Sequence, residues 1–514
     1  MKLFIYFNAL LLVILAEGTG AWMKRMLGIA RQGYHAPIGF ALLFSLGQAL
    51  YYPAAFFDMT MRWVIIVTVI LAVFAVICVY YDWADIKDSL WRRESVVLLA
   101  VGLLFIVYYR FHEVLARPVE YTLLTARVRD LQSPLWQGYY QFAEAFSWLL
   151  NVPHFLNSAL PAVTGGSAKV LGLGFAFTLS STMLIIDFVR SFRLRNHWFE
   201  FALAIYLLLN GNYTAWTNGI AWSGFSWSAL FVTLAVFIGY SYLRDENEQI
   251  KYLFIPVLSA GLFCDNSFGL SGLAILYGFI VYLFSIRKIR SFFDLFTFLI
   301  PHVIYGSIRI SRFIPPFISV VFVLLYAAFI IRRYHPPIRR WITRSEEFFF
   351  DRWKEVFLIG VPAVLFISSV VIVILRHGNG LSSFLYYFSD FHEIPGMRDY
   401  LFVHSGWFEI VINIFRWGGL ICLIALAKEK QDHGIRALVI TALVVFLNPL
   451  TAPAISYMTG PGFSHCFHVL FNPVTEAIMF LYVYRMFQWN VIGQWVLEFA
   501  LCFGALFAAG GFLR

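Results

Sequence analysis

Apolar runs of about 20 residues recur along this chain, separated by short connections that carry its basic residues or its Gly, Asn and Pro. Such a run has the length an α-helix needs to cross a bilayer. Hydrocarbon offers no partner to an unpaired backbone group, and a helix satisfies its own. The pattern predicts about 16 helices of this kind. They run over residues 3–22, 36–57, 61–81, 95–109, 169–189, 198–210, 226–243, 252–263, 271–286, 292–308, 313–331, 356–375, 408–427, 435–450, 467–484 and 491–512. Several are short enough to be re-entrant or interfacial, which puts the expected number of spans at about 13–16. The expected fold class is therefore all-α, a polytopic transmembrane helical bundle forming a single integral membrane domain over residues 1–514.

Composition sharpens this picture. Hydrophobic residues make up 61% of the chain and charged residues 13%, with a mean hydropathy of +0.75. A water-soluble domain cannot hide so much apolar surface. The basic residues gather on alternate connections: Lys24, Arg25 and Arg31, then Lys87, Arg92 and Arg93, then Arg190, Arg193 and Arg195, then Arg287, Lys288 and Arg290, then Arg332, Arg333, Arg339, Arg340 and Arg344. By the positive-inside rule these face the cytoplasm, so the N-terminus is expected outside and residues 332–355 form a basic cytoplasmic loop of a cell-membrane protein. Lys24 and Arg25 directly follow the first span, which argues against its cleavage as a signal peptide. The net charge of +9 follows from topology and contact with an anionic inner leaflet, and calls for no nucleic-acid partner. The five cysteines show no metal-binding spacing, and only Cys264 and Cys466 fall on expected outside loops.

One outside connection, residues 110–168, is long and differs in character from the others. Val119 to Leu131 reads as a helix, and Ser133-Pro134 opens a second that ends near Pro153. The second carries Leu135, Trp136, Tyr139, Tyr140, Phe142, Phe146, Trp148 and Leu149 with Glu144 as its one charge, the composition of an interfacial helix. It is either an anchor for the loop or the floor of a lipid-facing site. A second outside connection, Asn210 to Gly224, combines Asn210 and Asn212 with Trp216 and Trp222. Amides bind sugar hydroxyls and indole faces carry sugar C–H surfaces, although the same residues also build turns and interfacial belts. A third, residues 376–407, holds His377, Asp390, His392, Glu393, Arg398, Asp399 and His404 in no recognised metal spacing.

Ionisable residues inside spans are costly and mark candidate sites. Arg416 lies near the middle of its span, either as the partner of a carboxylate such as Glu476 or as a clamp on a lipid phosphate. His302, after Pro301, and Glu498 are accounted for by a kink and by a satisfied polar contact.

The order of several elements resembles a family of poorly characterised multispanning proteins of Gram-positive bacteria that are similar to GT-C-type membrane glycosyltransferases. The resembling pieces are Glu120-Tyr121, the aromatic helix Tyr139 to Leu150 and Pro153-His-Phe-Leu-Asn-Ser-Ala-Leu-Pro161. Further on come Trp222-Ser-Gly224, Asn266-Ser-Phe-Gly269, and Asn448-Pro-Leu450 opening a segment that closes at Pro473. They cover the middle and the C-terminal third of the chain. Three positions depart from the family pattern: Val119 stands for an acidic residue, Phe225 for a Lys, and Cys466-Phe467 for a Trp-Arg pair. The resemblance implies a GT-C-like transferase acting outside on a polyprenyl-phosphate-linked sugar, and the departures imply a catalytically degenerate member.

In that reading Glu120 is the general base that takes the proton of the acceptor hydroxyl. Arg127, Arg129 or Arg416 stabilises the departing phosphate, and Asn210, Asn212, Trp216 and Trp222 hold the sugar. The sequence identifies no cofactor. There is room for a divalent cation, for which no dedicated ligand set is visible. The alternative is a flippase, transporter or non-catalytic partner subunit working with other envelope-assembly proteins. No internal repeat of the transporter type and no Gly-x4-Gly-Lys-Ser/Thr loop occurs in the sequence.

Overall fold

The apolar runs become helices that pack on one another, in a computed structural model describing residues 2–30, 33–56, 61–98, 100, 173–209, 224–264, 269–310, 317–332, 334–377, 409–459 and 469–510. Helix accounts for 86% of the described residues, among which no strand occurs. The N-terminal group is α1 (Lys2–Met26), α2 (Ala36–Phe56), α3 (Met61–Tyr81) and the short α4 (Trp83–Leu90). Next come α5 (Leu173–Ser191), α6 (His197–Leu209), α7 (Gly224–Asp245), a 3-10 turn (Glu248–Leu253), α8 (Phe254–Cys264), α9 (Gly269–Ser285), α10 (Phe292–Ile310) and α11 (Phe317–Ile331). The C-terminal part holds α12 (Pro336–Asp351), a π turn (Glu355–Gly360), α13 (Val361–His377), α14 (Glu409–Leu426) and α15 (Lys430–Thr441). A second π turn (Ala442–Phe446), α16 (Ala452–Thr459), α17 (Pro473–Met486) and α18 (Val491–Gly510) complete it.

Local chemistry sets several of these boundaries. Asn472 caps α17 by accepting from the Thr475 N–H at 3.0 Å, and Pro473 follows at the first helical position, where a missing N–H costs nothing. The first π turn precedes Pro362, which has no N–H to donate. Val361 donates instead to Val356 five residues back, and the Phe357 carbonyl that Pro362 would serve in that register accepts from the Tyr277 hydroxyl of α9.

Close packing depends on small residues. A Cβ on Gly39 of α2 would lie 1.7 Å from the Ala16 carbonyl oxygen of α1, and one on Gly278 of α9 would lie 2.5 Å from the Leu438 Cα of α15. Side chains cannot be added at these crossings without parting the helices. Between α2, α5 and α7 an aromatic cluster fills the core, with Trp227 at 4.8 Å from Phe40, 4.9 Å from Phe44 and 5.5 Å from Phe177.

Charge collects at one end of this assembly. Arg25 pairs with Asp82 at 2.8 Å, Arg92 with Asp187 at 2.8 Å, and Arg190 with Glu94. Asn196 donates to Glu498 at 2.6 Å and to the Tyr484 hydroxyl at 3.2 Å, and Arg485 reaches Asp432 at 4.0 Å. Lys430 pairs with Glu246, Lys288 with Glu248 at 3.7 Å, Lys251 with Asp294 at 3.2 Å and Arg332 with Glu346 at 2.5 Å. These contacts join the C-terminal ends of α1, α3, α5, α7, α9, α11 and α17 to the N-terminal ends of α6, α8, α10, α15 and α18. The helices therefore run up and down from an ionic belt. The other ends of these described helices, such as Leu173 of α5, Leu209 of α6 and Pro473 of α17, lie away from the belt.

By length and composition two described helical stretches suffice to cross a membrane, Trp227–Asp245 and Glu355–Leu375, or up to four if each of two bent pairs is one span. The second of these is only 11% buried within the protein. The basic connection 332–355 contains helix α12, which turns Ile342 and Glu346 inward and leaves Trp341 and Phe348 exposed.

Candidate functional site

Two buried ionic sites lie within the helices. The first is built on α14 and α17. Arg416 and Glu476 are both 0% exposed, and the guanidinium grips one carboxylate oxygen through Nε at 2.7 Å and through Nη2. Glu476 lies in the first turn of α17, whose positive dipole end favours a carboxylate. The guanidinium carbon stands 3.9 Å from the centroid of the Phe471 ring, and Trp417 meets the same ring edge-on at 5.1 Å. Tyr206 of α6 is close enough to feel both charges. Gly419 admits α17 at this crossing, since a Cβ there would lie 2.8 Å from that of Met479. The pair therefore sits in a dry, closely packed contact, within about two helical turns of the α14 end opposite the belt.

The second site joins α1, α5 and the connection leading into α2. Glu17 is fully buried; one of its carboxylate oxygens accepts from the His35 backbone N–H at 2.8 Å and from the Ser89 hydroxyl at 3.5 Å. Asp187 accepts from the Tyr34 backbone N–H at 2.5 Å on one oxygen and from Arg92 at 2.8 Å on the other. Gly33 makes that approach possible, because at φ +84° it tolerates the left-handed region and a Cβ would come 2.5 Å from Asp187 Oδ2. Arg92 also lies over the Tyr34 ring at 4.9 Å, and the Tyr34 hydroxyl meets Ser95 at 3.0 Å. Burial pushes that hydroxyl above its ordinary value. Nearby, burial acts to raise the Glu94 carboxyl, but its own backbone N–H, Arg190 and Arg92 carry it below the ordinary value. Glu17, fully buried, and Asp187, half-buried, fasten residues 33–35 to the helices.

Of the residues singled out in the sequence, Arg416 is described, and Glu476 is its partner as the span-to-span pairing anticipates. Glu120, Arg127, Arg129, Asn210, Asn212, Trp216 and Trp222 lie outside the described residues, as do the two interfacial helices of 110–168 and the connection 378–408. Glu17 and Asp187 escape the sequence reading although each interrupts a predicted span, at 3–22 and 169–189. An ionisable residue within an apolar run, the signal that picks out Arg416, picks these out too. No family model, curated protein or solved structure matches this chain.

Proposed function

We propose that this chain is a multi-pass cell-membrane protein of envelope glycan assembly, with the ionic belt on the cytoplasmic side. On this reading the up-and-down helices form a polytopic, GT-C-like bundle. A polyprenyl-phosphate-linked sugar is handled at the opposite face by the long connection 110–168. The observation that supports the reading is Arg416, a buried guanidinium in the half of the bundle away from the belt, which on this reading exchanges its Glu476 contact for the phosphate. Intramembrane arginines are costly and concentrate where a charged substrate is handled, and Arg suits phosphate through its planar fork. Glu476 then orients the guanidinium; Arg127 and Arg129 are the alternative phosphate-stabilising residues, and Glu120 is the general base.

The test is Glu120→Gln, which keeps the shape and removes the basicity. It is expected to leave protein level unchanged and abolish sugar transfer. The same measurement on Glu113→Gln, Asp130→Asn and Glu144→Gln separates the base from solvated carboxylates of that loop. If all four variants keep the envelope glycan at the wild-type level, the transferase reading fails. The alternative is transport or a partner-subunit role, and it draws on Glu17, since a buried acid within a helical bundle can serve an ion or proton pathway. Glu17→Gln would then stop transport while the loop variants remain silent.

A further inference from the structure

A lateral groove of about 660 Å³ opens beside the first π turn, lined by Phe348 and Phe349 of α12, Arg352, Glu355, and Val356 to Leu365 on the helix above. Its volume falls in the range of small-molecule sites. We propose that this groove holds one anionic diacyl phospholipid, its phosphate at Arg352 and an acyl chain along Val356, Gly360, Val361, Val364 and Leu365. The proposal rests on the membrane reading above, with the belt at the cytoplasmic leaflet.

Three observations select this occupant. Polarity changes along the groove's helical wall: Arg352 and Glu355 stand at the start of this stretch, next to Phe348 and Phe349 of α12, and the lining residues that follow, Val356 to Leu365, are apolar. The charged end belongs to the belt side, following α12 with its exposed Arg339, Arg340 and Arg344, and the exposed Lys354 adds a further cation. Of the neighbouring acids Glu346 is neutralised by Arg332, so the exposed Glu347, Asp351 and Glu355 are outnumbered by these cations. Arg352 lies over the Phe348 ring at 4.8 Å, which holds the guanidinium at the groove's entrance. The length also fits, because thirteen residues from Arg352 to Leu365 rise roughly 20 Å, enough for a phosphate at the surface and a chain reaching towards the middle of a core about 30 Å thick. Finally, Gly360 leaves the wall bare. A Cβ there would meet only the Glu355 carbonyl oxygen, at 3.3 Å, so the wide π turn and the missing side chain together form the recess.

Native mass spectrometry of the full purified chain in detergent, with phosphatidylglycerol or phosphatidylcholine of matched acyl chains, tests this. Wild type is expected to retain phosphatidylglycerol preferentially. Arg352→Gln should lower that retention about fivefold, the value of one basic charge at an anionic surface, while leaving the phosphatidylcholine adduct unchanged. Gly360→Leu should abolish both adducts by filling the recess, and Val364→Trp, on an exposed wall position, provides the same block should Gly360→Leu not fold. A phosphatidylglycerol carrying a photoreactive acyl chain should crosslink within residues 348–365. Retention of phosphatidylglycerol at wild-type level in Arg352→Gln and in a folded groove-filling variant overturns the proposal, as does a wild-type dimer that becomes monomeric when the groove is filled, since the occupant would then be a second copy. Labelling at Ser345 in intact cells reports the membrane orientation separately, so a wrong topology is told apart from an empty groove.

Discussion

At Arg416 the balance of charge burial decides what a single substitution does. Moving an Arg and a Glu out of water is expensive, and their mutual attraction offsets much of that cost only while both remain. Arg416→Leu leaves the fully buried Glu476 without its guanidinium, and a broken buried pair costs about 3–5 kcal/mol. Thermal unfolding in detergent should therefore show a large drop for Arg416→Leu and for Glu476→Leu separately. The double variant should recover most of the loss, because two apolar side chains of similar volume replace the pair without stranding a charge. If the losses simply add, the two residues do not act as a unit. The recovered double variant also isolates function from fold: a stable bundle that no longer supports envelope glycan assigns the guanidinium a role in phosphate handling. The pairing was one of two readings the sequence offered, because an Arg in an apolar run calls for an anion and either Glu476 or a lipid phosphate could supply it. Glu17 and Asp187 were legible by the same rule. What the sequence lacked was their partners, since backbone N–H groups of His35 and Tyr34 carry no signature of what they serve.

Elements depart from their ideal form where the sequence denies them a donor. Pro362 leaves the Phe357 carbonyl without a backbone partner, and the Tyr277 hydroxyl of the neighbouring helix donates to it. Tyr277→Phe is therefore expected to cost about 1 kcal/mol, the lower end of the penalty for stranding an acceptor, because this one is half-buried. In a Pro362→Ala background the new N–H can serve that carbonyl or restore the α register, so the Tyr277→Phe cost should fall well below its value in the wild type. Equal costs in both backgrounds, measured by unfolding in detergent, would remove the proposed compensation. Proline placement is visible in the sequence, yet the hydroxyl that repairs it comes from a helix 80 residues away and no local pattern reports it. Helix α12 was hidden for a different reason. Its run of Arg and Glu reads as a solvated connection, whereas Pro336 at its first turn and the inward Ile342 and Glu346 make it a helix with one face on the protein.

On the scale of the whole molecule basic residues from the connections read in the sequence meet in a physical belt, where Arg92–Asp187, Arg190–Glu94, Lys251–Asp294 and Lys430–Glu246 join different elements and Arg244–Asp245 and Lys251–Glu248 pair locally. Orientation follows if the belt faces the cytoplasm, so a cysteine placed at Ser345 should resist membrane-impermeant labelling in intact cells and react once the cells are opened. Labelling in intact cells would reverse the topology. The belt also sets a dependence on pH. Glu94 is held below its ordinary value of 4.5, with burial opposing and Arg190 and Arg92 assisting; Glu246 is held below the same value by the hydrogen bond from Lys430. A carboxyl with a depressed folded value stabilises the protein above its unfolded value, and that contribution is lost as pH falls through the folded one. Lys251 has the opposite sign. Burial lowers it, Asp294 and Glu248 more than compensate, and its raised value confines its contribution to pH below the alkaline range, with loss as pH climbs past 10.5. The contribution of these two carboxyls should thus be lost as pH falls below about 4.5, more shallowly in high salt because the Glu246–Lys430 pair is exposed. The double variant Glu94→Gln/Glu246→Gln should start lower at pH 7 and lose less on acidification, having already given up what protonation removes. An acid loss as large in that variant as in the wild type would mean that the belt pairs do not govern the acid limb.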